Sequence, residues 1–205
     1  MSAVLSTRAK LLASAALLAA AAGAAGLGTF GSFTSTTSAS ESVSSGSVQI
    51  GVGTAGTAAN RLTVAATGIV PGDTIQRAVT LSNSGDQNLS AITLTTNATT
   101  SSVLDTDANN GLQVKIEKCS NAWTEAGTSP AYTYTCSGTK TTVLASQQII
   151  GSNLALAGLS ALTATSSDNL VVTVSLPTSA DNTFQSKASV VNFAFTGTQR
   201  TATNK

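Results

Sequence analysis

The region between Val70 and Thr96 constrains the fold most strongly, because apolar and polar residues alternate there in two runs. The apolar positions are Ile75, Val79, Leu81, Ile92 and Leu94. Turn-forming residues from Asn83 to Asp86 separate the two runs. This pattern predicts an antiparallel hairpin with one buried and one solvated face. A lone hairpin is only marginally stable in water, so the rest of the chain must supply a second sheet.

The same region opens with a turn at Pro71, Gly72 and Asp73. Proline fixes its φ angle at about −65°, which suits the second position of a β-turn. Glycine then supplies the positive φ that the third position of a type II turn requires. We therefore predict a type II turn immediately before the first strand of the pair.

Further alternating runs along the chain predict more half-buried strands. They lie at Leu62 and Val64, Leu112 to Glu117, Tyr132 to Cys136, Leu170 to Leu176, and Val190 to Phe195. Periodicity leaves residues 144–164 open between a short helix and a pair of strands. Short strands separated by turns indicate an all-β fold, a single-domain antiparallel β-sandwich of jelly-roll type. We place this domain at residues 48–199, followed by a polar tail at residues 200–205.

The N-terminal residues have the pattern of a secretory signal peptide. Arg8 and Lys10 precede an uncharged run of Leu, Ala and Gly at residues 11–27. A retained membrane anchor is the alternative, but the run is shorter than the ~20 apolar residues of a spanning helix. We expect the signal to be cleaved and the protein to be secreted, to the extracellular matrix or the cell surface.

Residues 33–47 are rich in Ser, Thr and Gly and contain too few apolar residues to hold a place in a core. This segment is either a flexible arm or a segment that becomes ordered on meeting a partner, and both descriptions are compatible. Val48, Ile50 and Val52 alternate directly after it and predict a short strand.

The chain contains two cysteines, Cys119 and Cys136. A structural disulfide is the usual state of a cysteine pair in an exported protein. Two cysteines without histidine also cannot complete a tetrahedral zinc site from the usual ligands. We therefore predict a Cys119–Cys136 disulfide.

Composition excludes several classes of function. The chain has ten Lys and Arg, nine Asp and Glu, and no His. No basic patch with interleaved aromatic residues is present, so nucleic acid is not expected as a partner. The absence of histidine excludes His-dependent catalytic triads and the common His metal sites. Ser-Lys and carboxylate-pair chemistry do not need histidine and stay open, but the acidic residues are scattered along the chain and nothing in the sequence places two of them together. We therefore predict no catalytic residue and no cofactor.

A possible calcium loop lies at Asp105, Asp107 and Asn109, where oxygen ligands occupy alternate positions. It departs from the EF-hand pattern, because Asn110 replaces the required Gly and Ile116 replaces the bidentate Glu. Clusters of Asp, Asn and Gly are also ordinary turn formers. We take a turn as the first interpretation and calcium binding as the second.

Several short motifs, in this order, resemble the TasA/camelysin family of exported bacterial proteins. They are Gly28-Thr29-Phe30-Gly31-Ser32-Phe33, a strand within residues 47–52, Pro71-Gly72-Asp73, Asn83-Ser84-Gly85, Asn182-Thr183-Phe184-Gln185, and Phe193-Ala194-Phe195-Thr196-Gly197-Thr198-Gln199. The resemblance spans nearly the whole chain, and its specificity comes from the ordered set.

The resemblance implies a jelly-roll-like sandwich exported through a dedicated signal peptidase, with a signal peptide at residues 1–32. TasA-like members assemble into biofilm-matrix fibres in which each subunit lends its N-terminal strand to the next. Camelysin-like members are described as surface metalloproteases, and the absence of histidine conflicts with that activity here. The loop between Cys119 and Cys136 is a further departure, since the TasA type lacks it.

The leading hypothesis is a structural protein that polymerises by donor-strand addition, with Phe33, Val48, Ile50 and Val52 as donor-strand candidates. Its expected partners are other copies of the chain, the signal peptidase during export, and an anchor protein of the cell surface or matrix. The alternatives are a monomeric adhesin or ligand-binding module and a camelysin-type peptidase.

We predict that the exported protein begins near Ser32/Phe33, as the family resemblance implies. A general signal peptidase would cut earlier, after Ala24 or Ala25, where small residues occupy the key positions. N-terminal sequencing of the exported protein distinguishes the two sites. A mature protein that still begins at Met1 would contradict both.

Overall fold

The computed structural model describes residues 49–52, 57–59, 62 and 64–202, and nearly all regular secondary structure in these residues is β-strand. The strands are β1 (Ile50–Val52), β2 (Val64–Thr67), β3 (Thr74–Asn83), β4 (Leu89–Thr100), β5 (Gln113–Cys119), β6 (Trp123–Ala126), β7 (Thr133–Cys136), β8 (Lys140–Gln148), β9 (Gly151–Ala155), β10 (Ser167–Ser175) and β11 (Ala188–Gln199). The helices within these residues are one short α-helix, α1 (Val103–Thr106), and 3₁₀ turns at Ser160–Leu162 and Asn182–Phe184. None of the helices in the described part is long and apolar enough to cross a membrane.

Two antiparallel sheets enclose one core. The first sheet has the order β1-β3-β10-β5-β8, and the second has the order β2-β11-β4-β9. A separate ribbon, β6-β7, is inserted between β5 and β8. Apart from this insertion, each strand of the sandwich is followed in sequence by a strand of the opposite sheet. The predicted all-β, jelly-roll-like sandwich is therefore confirmed.

The predicted hairpin between the two runs of residues 70–96 is wrong. The runs form β3 and β4, but β3 pairs with β1 and β10, whereas β4 pairs with β11 and β9. The connection at residues 84–88 is thus an arch between the two sheets. Alternation shows that β3 and β4 each have one buried face. It does not show whether the two strands lie side by side in one sheet or face each other from opposite sheets.

Asn83 holds the arch together from its buried position. Its Nδ2 donates to the Gln87 carbonyl at 3.0 Å, and its Oδ1 accepts from the Gly85 backbone N–H at 3.0 Å. The side chain is 1% exposed, so these two bonds replace those that water would otherwise make.

The core lies between the sheets, and its side chains are almost completely buried. Leu81 on β3 and Leu94 on β4 are both 0% exposed, although they belong to opposite sheets. Burial of a side chain of this size contributes about 1.5–3 kcal/mol relative to exposure. The last strand follows the predicted faces: Val191 is buried, and Phe193 and Phe195 pack against the same core.

Residues 144–164 contain strands rather than a long helix. They cover most of β8, all of β9 and the 3₁₀ turn Ser160–Leu162. The two strands form the edges of opposite sheets, and Ile149 between them is fully buried. Thr96 fixes this second arch, because its Oγ1 donates to the Ile149 carbonyl at 2.5 Å and accepts from the Gly151 N–H at 2.9 Å.

The turn before β3 has the predicted geometry. The Asp73 N–H donates to the Val70 carbonyl at 3.0 Å, and Gly72 has a φ of 97°. The Asp73 carboxylate accepts from the Val70 N–H at 2.9 Å, and the Gly72 N–H donates to the Leu176 carbonyl at 2.8 Å. The turn is thereby tied to the end of β10.

We predict that Gly72→Ala lowers the free energy of unfolding by about 1 kcal/mol, because alanine is strained at this positive φ. Steric crowding is not the cause, since an added Cβ would lie 3.5 Å from its nearest neighbour, Thr178 Cγ2, which is an ordinary van der Waals contact. Gly72→Asn is the matched control, because asparagine tolerates the left-handed region better. Chemical denaturation should rank stability as Gly, then Asn, then Ala; equal loss for both variants would contradict the assignment to backbone strain.

Candidate functional site

Of the four donor-strand candidates, Phe33 and Val48 lie outside the described residues. Ile50 and Val52 lie in β1, which pairs antiparallel with β3 through Ile50–Asn83 and Val52–Leu81. The Ser84 N–H also donates to the Gln49 carbonyl at 2.9 Å. In this structure β1 therefore forms the edge strand of the first sheet of its own chain.

The Ile50 side chain is partly buried and packs against the core. It lies close to Gly197 of β11, where an added Cβ would come within 3.5 Å of Ile50 Cδ1 and 3.0 Å of Leu89 Cδ1. The absence of a side chain at Gly197 thus leaves room for both residues. β1 is anchored by this contact as well as by its backbone hydrogen bonds.

The predicted disulfide is confirmed. Cys119 at the end of β5 is bonded to Cys136 at the end of β7, with an S–S distance of 1.97 Å and a Cα–Cα distance of 5.6 Å. It joins the first sheet to the β6-β7 ribbon, which we call the flap. Closing a loop of this length contributes ~3 kcal/mol in the chain-entropy model.

The flap covers part of the outer face of the first sheet. Tyr134 of β7 is buried with Ala78 of β3 and Val171 of β10. Trp123 Nε1 donates to the Asn169 carbonyl at 2.9 Å, and the Tyr134 N–H donates to Gln76 Oε1 at 3.1 Å. The flap is therefore docked by side chains as well as by the disulfide.

A cation–aromatic contact adds to the docking of the flap. The Arg77 guanidinium carbon lies 5.5 Å from the centre of the Tyr132 ring, and Arg77 is only 8% exposed. Contacts of this kind are worth about 0.5–2 kcal/mol, more when shielded from water. Tyr134 Oη donates to Glu125 Oε2 at 2.6 Å within the ribbon itself.

The first calcium candidate, Asp105, is a helix-capping residue. Its carboxylate accepts hydrogen bonds from the Ser102 N–H at 2.7 Å, Ser101 Oγ at 2.8 Å and Ser189 Oγ at 2.6 Å. Ser102 completes a capping box at the start of α1. Burial by itself would raise the pKa of the Asp105 carboxyl, but these hydrogen bonds together hold the pKa below its ordinary value.

The other two candidates form a turn after α1. Asp107 Oδ1 accepts from the backbone N–H groups of Asn110 and Asn109, each at 2.9 Å. These bonds lower the pKa of the Asp107 carboxyl. The third candidate, Asn109, contributes its backbone N–H to this turn. Both carboxylates thus serve a cap and a turn, as the first interpretation of this segment requires.

A polar cavity of about 360 Å³ lies beside the disulfide, and the sequence analysis did not predict it. Its lining includes Lys118, Ser120, Thr139, Thr141, Ser160 and Asp168. The Lys118 ammonium lies 3.5 Å from Asp168 Oδ1 and donates to the Gly158 carbonyl. Asp168 Oδ2 accepts from the Ala161 N–H at 2.8 Å. The hydroxyl groups of the cavity lining can therefore donate and accept hydrogen bonds, and the Lys118–Asp168 ion pair beside them has no net charge.

One sequence signal for this pair was available. Asp168 shares the period-2 face of Leu170, Val172 and Val174, so it is a carboxylate on the core-facing side of β10. A buried carboxylate needs a partner, but the sequence gives no way to choose Lys118 among the basic residues. Only the antiparallel pairing of β10 with β5 brings them together.

The fold and these sites define a disulfide-containing antiparallel β-sandwich. A family model described as camelysin metallo-endopeptidase matches residues 8–204, and the chain belongs to this family, the TasA/camelysin family. A search of curated proteins finds no match to the sequence.

The donor groups of this chain do not fit a metal site of the kind that the family description implies. The chain has no histidine, and both cysteines are joined in the disulfide. Within the part that the structure describes, no three His, Cys, Asp or Glu residues come close enough to hold a metal ion. Catalytic zinc usually takes three protein ligands drawn from these residue types, with histidine prominent among them.

We predict that Asp105→Asn lowers the free energy of unfolding by about 1–3 kcal/mol at neutral pH, because an acceptor of three hydrogen bonds loses its charge. The difference in the free energy of unfolding between the wild type and Asp105→Asn should become smaller in acid. Since the folded-state pKa lies below the unfolded value of about 3.8, the stabilisation is present above that value and is lost as pH falls through the folded-state pKa.

Denaturation of both proteins between pH 7 and pH 2 measures the difference. The wild-type curve should fall towards the Asp105→Asn curve in acid. A difference that stays constant over the whole range would show that the ionised carboxylate is not the stabilising group.

Proposed function

We propose that this protein is a secreted structural protein that assembles into extracellular or cell-surface fibres by strand addition. The observation that carries the proposal is β1, a strand of three residues at the edge of the first sheet. So short a strand can leave its place at the cost of few backbone hydrogen bonds. The same residues of another copy can then restore those bonds.

Ile50 gives this exchange a specific anchor. Its side chain fills the space beside Leu89 and Gly197, so an incoming strand must present an apolar side chain in that register. Residues 33–47, directly before the strand, are polar and supply the reach between subunits. A head-to-tail contact of this kind need not close, so it grows a filament.

The proposed role needs no catalysis, which agrees with the donor groups of the chain. The proposed partners are other copies of the chain, which strand addition requires, a signal peptidase during export, and an anchor protein of the cell surface or matrix. Chelator-sensitive cleavage of a general protein substrate by the purified protein would favour the peptidase instead.

A second candidate function is that of a cell-surface adhesin or ligand-binding module. The polar cavity at Lys118 and Asp168 favours it, because about 360 Å³ is within the range of small-ligand sites. The lining is polar, whereas most ligand sites are mainly apolar. We therefore place this function second.

The test is to lock β1 in its own sheet. Gly51 and Ser82 are opposite each other in the β1–β3 pair, at a separation that suits a disulfide. We predict that oxidised Gly51→Cys/Ser82→Cys protein folds but forms no fibres, whereas the reduced protein forms fibres as the wild type does. Negative-stain electron microscopy over several days gives the result, and circular dichroism confirms β structure.

Gly51→Cys and Ser82→Cys alone are the controls for the substitutions. Wild-type protein in the same reductant controls for loss of the Cys119–Cys136 bond. Fibres of normal length from the locked protein would rule out strand exchange. A wild-type protein that never forms fibres would leave the adhesin as the better proposal.

A further inference from the structure

The two sheets differ sharply in charge. The strands of the first sheet carry Arg77, Lys115, Glu117, Lys118, Lys140 and Asp168. The strands of the second sheet, β2, β4, β9 and β11, contain no Asp, Glu, Lys or Arg. A large uncharged sheet surface favours association, because no like-charge repulsion opposes it.

The outward side of the second sheet is built from small neutral residues. On β4 and β11 the inward positions, such as Leu94 and Phe195, face the core, so the alternate positions face outwards. The outward residues pair in register as Thr93–Thr196, Thr95–Ala194 and Asn97–Asn192, and Ala155 of β9 lies beside Thr93. We call these seven residues the neutral face. Thr93 and Thr95 are partly exposed, and the other five are exposed.

The opposite side of the sandwich is different. The flap covers part of the outer face of the first sheet, and Lys115, Glu117 and Lys140 form ion pairs beside it. Within the residues that the structure describes, the neutral face therefore differs from the other broad sheet surface of the sandwich in both its charge and its cover.

We propose that the neutral face packs against the neutral face of a second copy of this chain, joining fibres side by side. The inference rests on the proposed fibre function and adds to it the surface that makes lateral contact. Small side chains allow two sheets to approach to about 10 Å, and Thr and Asn hydroxyl and amide groups can pair across the interface. A two-fold contact places the same face of both copies together, and no charged group of the neutral face opposes this.

Other occupants fit the surface less well. A nucleic acid or an anionic membrane would need cationic side chains, and the neutral face has none. The face also lacks aromatic side chains, whose rings would stack on the sugars of a polysaccharide. A second neutral face matches its chemistry.

Size determines when the contact forms. Seven small side chains cover much less than the ~800 Å² per partner of a stable interface, so single molecules should not pair through this surface. Along a filament the same contact repeats, and linked contacts strengthen each other by a factor of about 10²–10⁴. The neutral face should therefore bundle fibres while free monomers stay apart.

The test places charge on the neutral face. Asn192→Lys/Thr196→Lys adds two lysines to exposed positions of β11. Thr124→Lys/Thr133→Lys is the matched control, which adds the same charge to exposed positions of the flap. We expect wild-type and control fibres to form bundles and Asn192→Lys/Thr196→Lys fibres of the same length to remain single.

A second measurement does not depend on fibres. Beads carry many copies of the oxidised Gly51→Cys/Ser82→Cys protein through a C-terminal tag, so strand exchange cannot link them. We expect these beads and those with the flap lysines to clump, and beads with Asn192→Lys/Thr196→Lys to clump at least about tenfold less. Clumping without any fibre formation would support the neutral face while contradicting the proposed fibre function.

Two results would overturn the inference. One is equal bundling and equal clumping with and without lysines on the neutral face. The other is clump-free beads that bind cellulose powder, with Asn192→Lys/Thr196→Lys abolishing the binding, because the occupant would then be a polysaccharide.

Discussion

The meeting of apolar strand faces across one buried core is the constraint on which the rest of this structure depends. Leu81 and Leu94 lie on successive strands yet belong to opposite sheets, and neither is exposed. The apolar face of each sheet is buried only when the strands of the other sheet cover it. Apart from β5 and β8, which pair in one sheet, successive strands of the sandwich lie in opposite sheets, so their connections are arches rather than hairpins.

The arches bring polar backbone groups to the edges of the core, and in two of them a buried side chain satisfies these groups. In the first arch, the Asn83 side chain hydrogen-bonds to the backbone of Gly85 and Gln87. In the second arch, the Thr96 hydroxyl hydrogen-bonds to the backbone of Ile149 and Gly151. Asp105 does the same for the start of α1, where its carboxylate joins Ser102 to Ser189 on the distant strand β11. An unpaired polar group in these positions would cost about 1–3 kcal/mol.

The arrangement also separates two kinds of surface. The first sheet carries the charged residues of the sandwich strands, the flap and the disulfide, whereas the second sheet carries no charge. In the fibre that we propose, the short edge strand β1 would extend the filament, and the neutral face, on a broad surface, would join filaments.

The sequence alone determined the strands with clear alternation, the turn at Gly72, the disulfide and the family, because each depends on local pattern or on an ordered set of motifs. Tertiary structure decided which strands pair with each other. An apolar residue at every second position predicts that one face of a strand is buried, but it does not show which other strand covers that face. Tertiary structure also decided the pairing of Lys118 with Asp168 and the roles of Asp105 and Asp107 in a cap and a turn. These depend on groups far apart in the chain, or on backbone geometry, that composition and spacing do not encode.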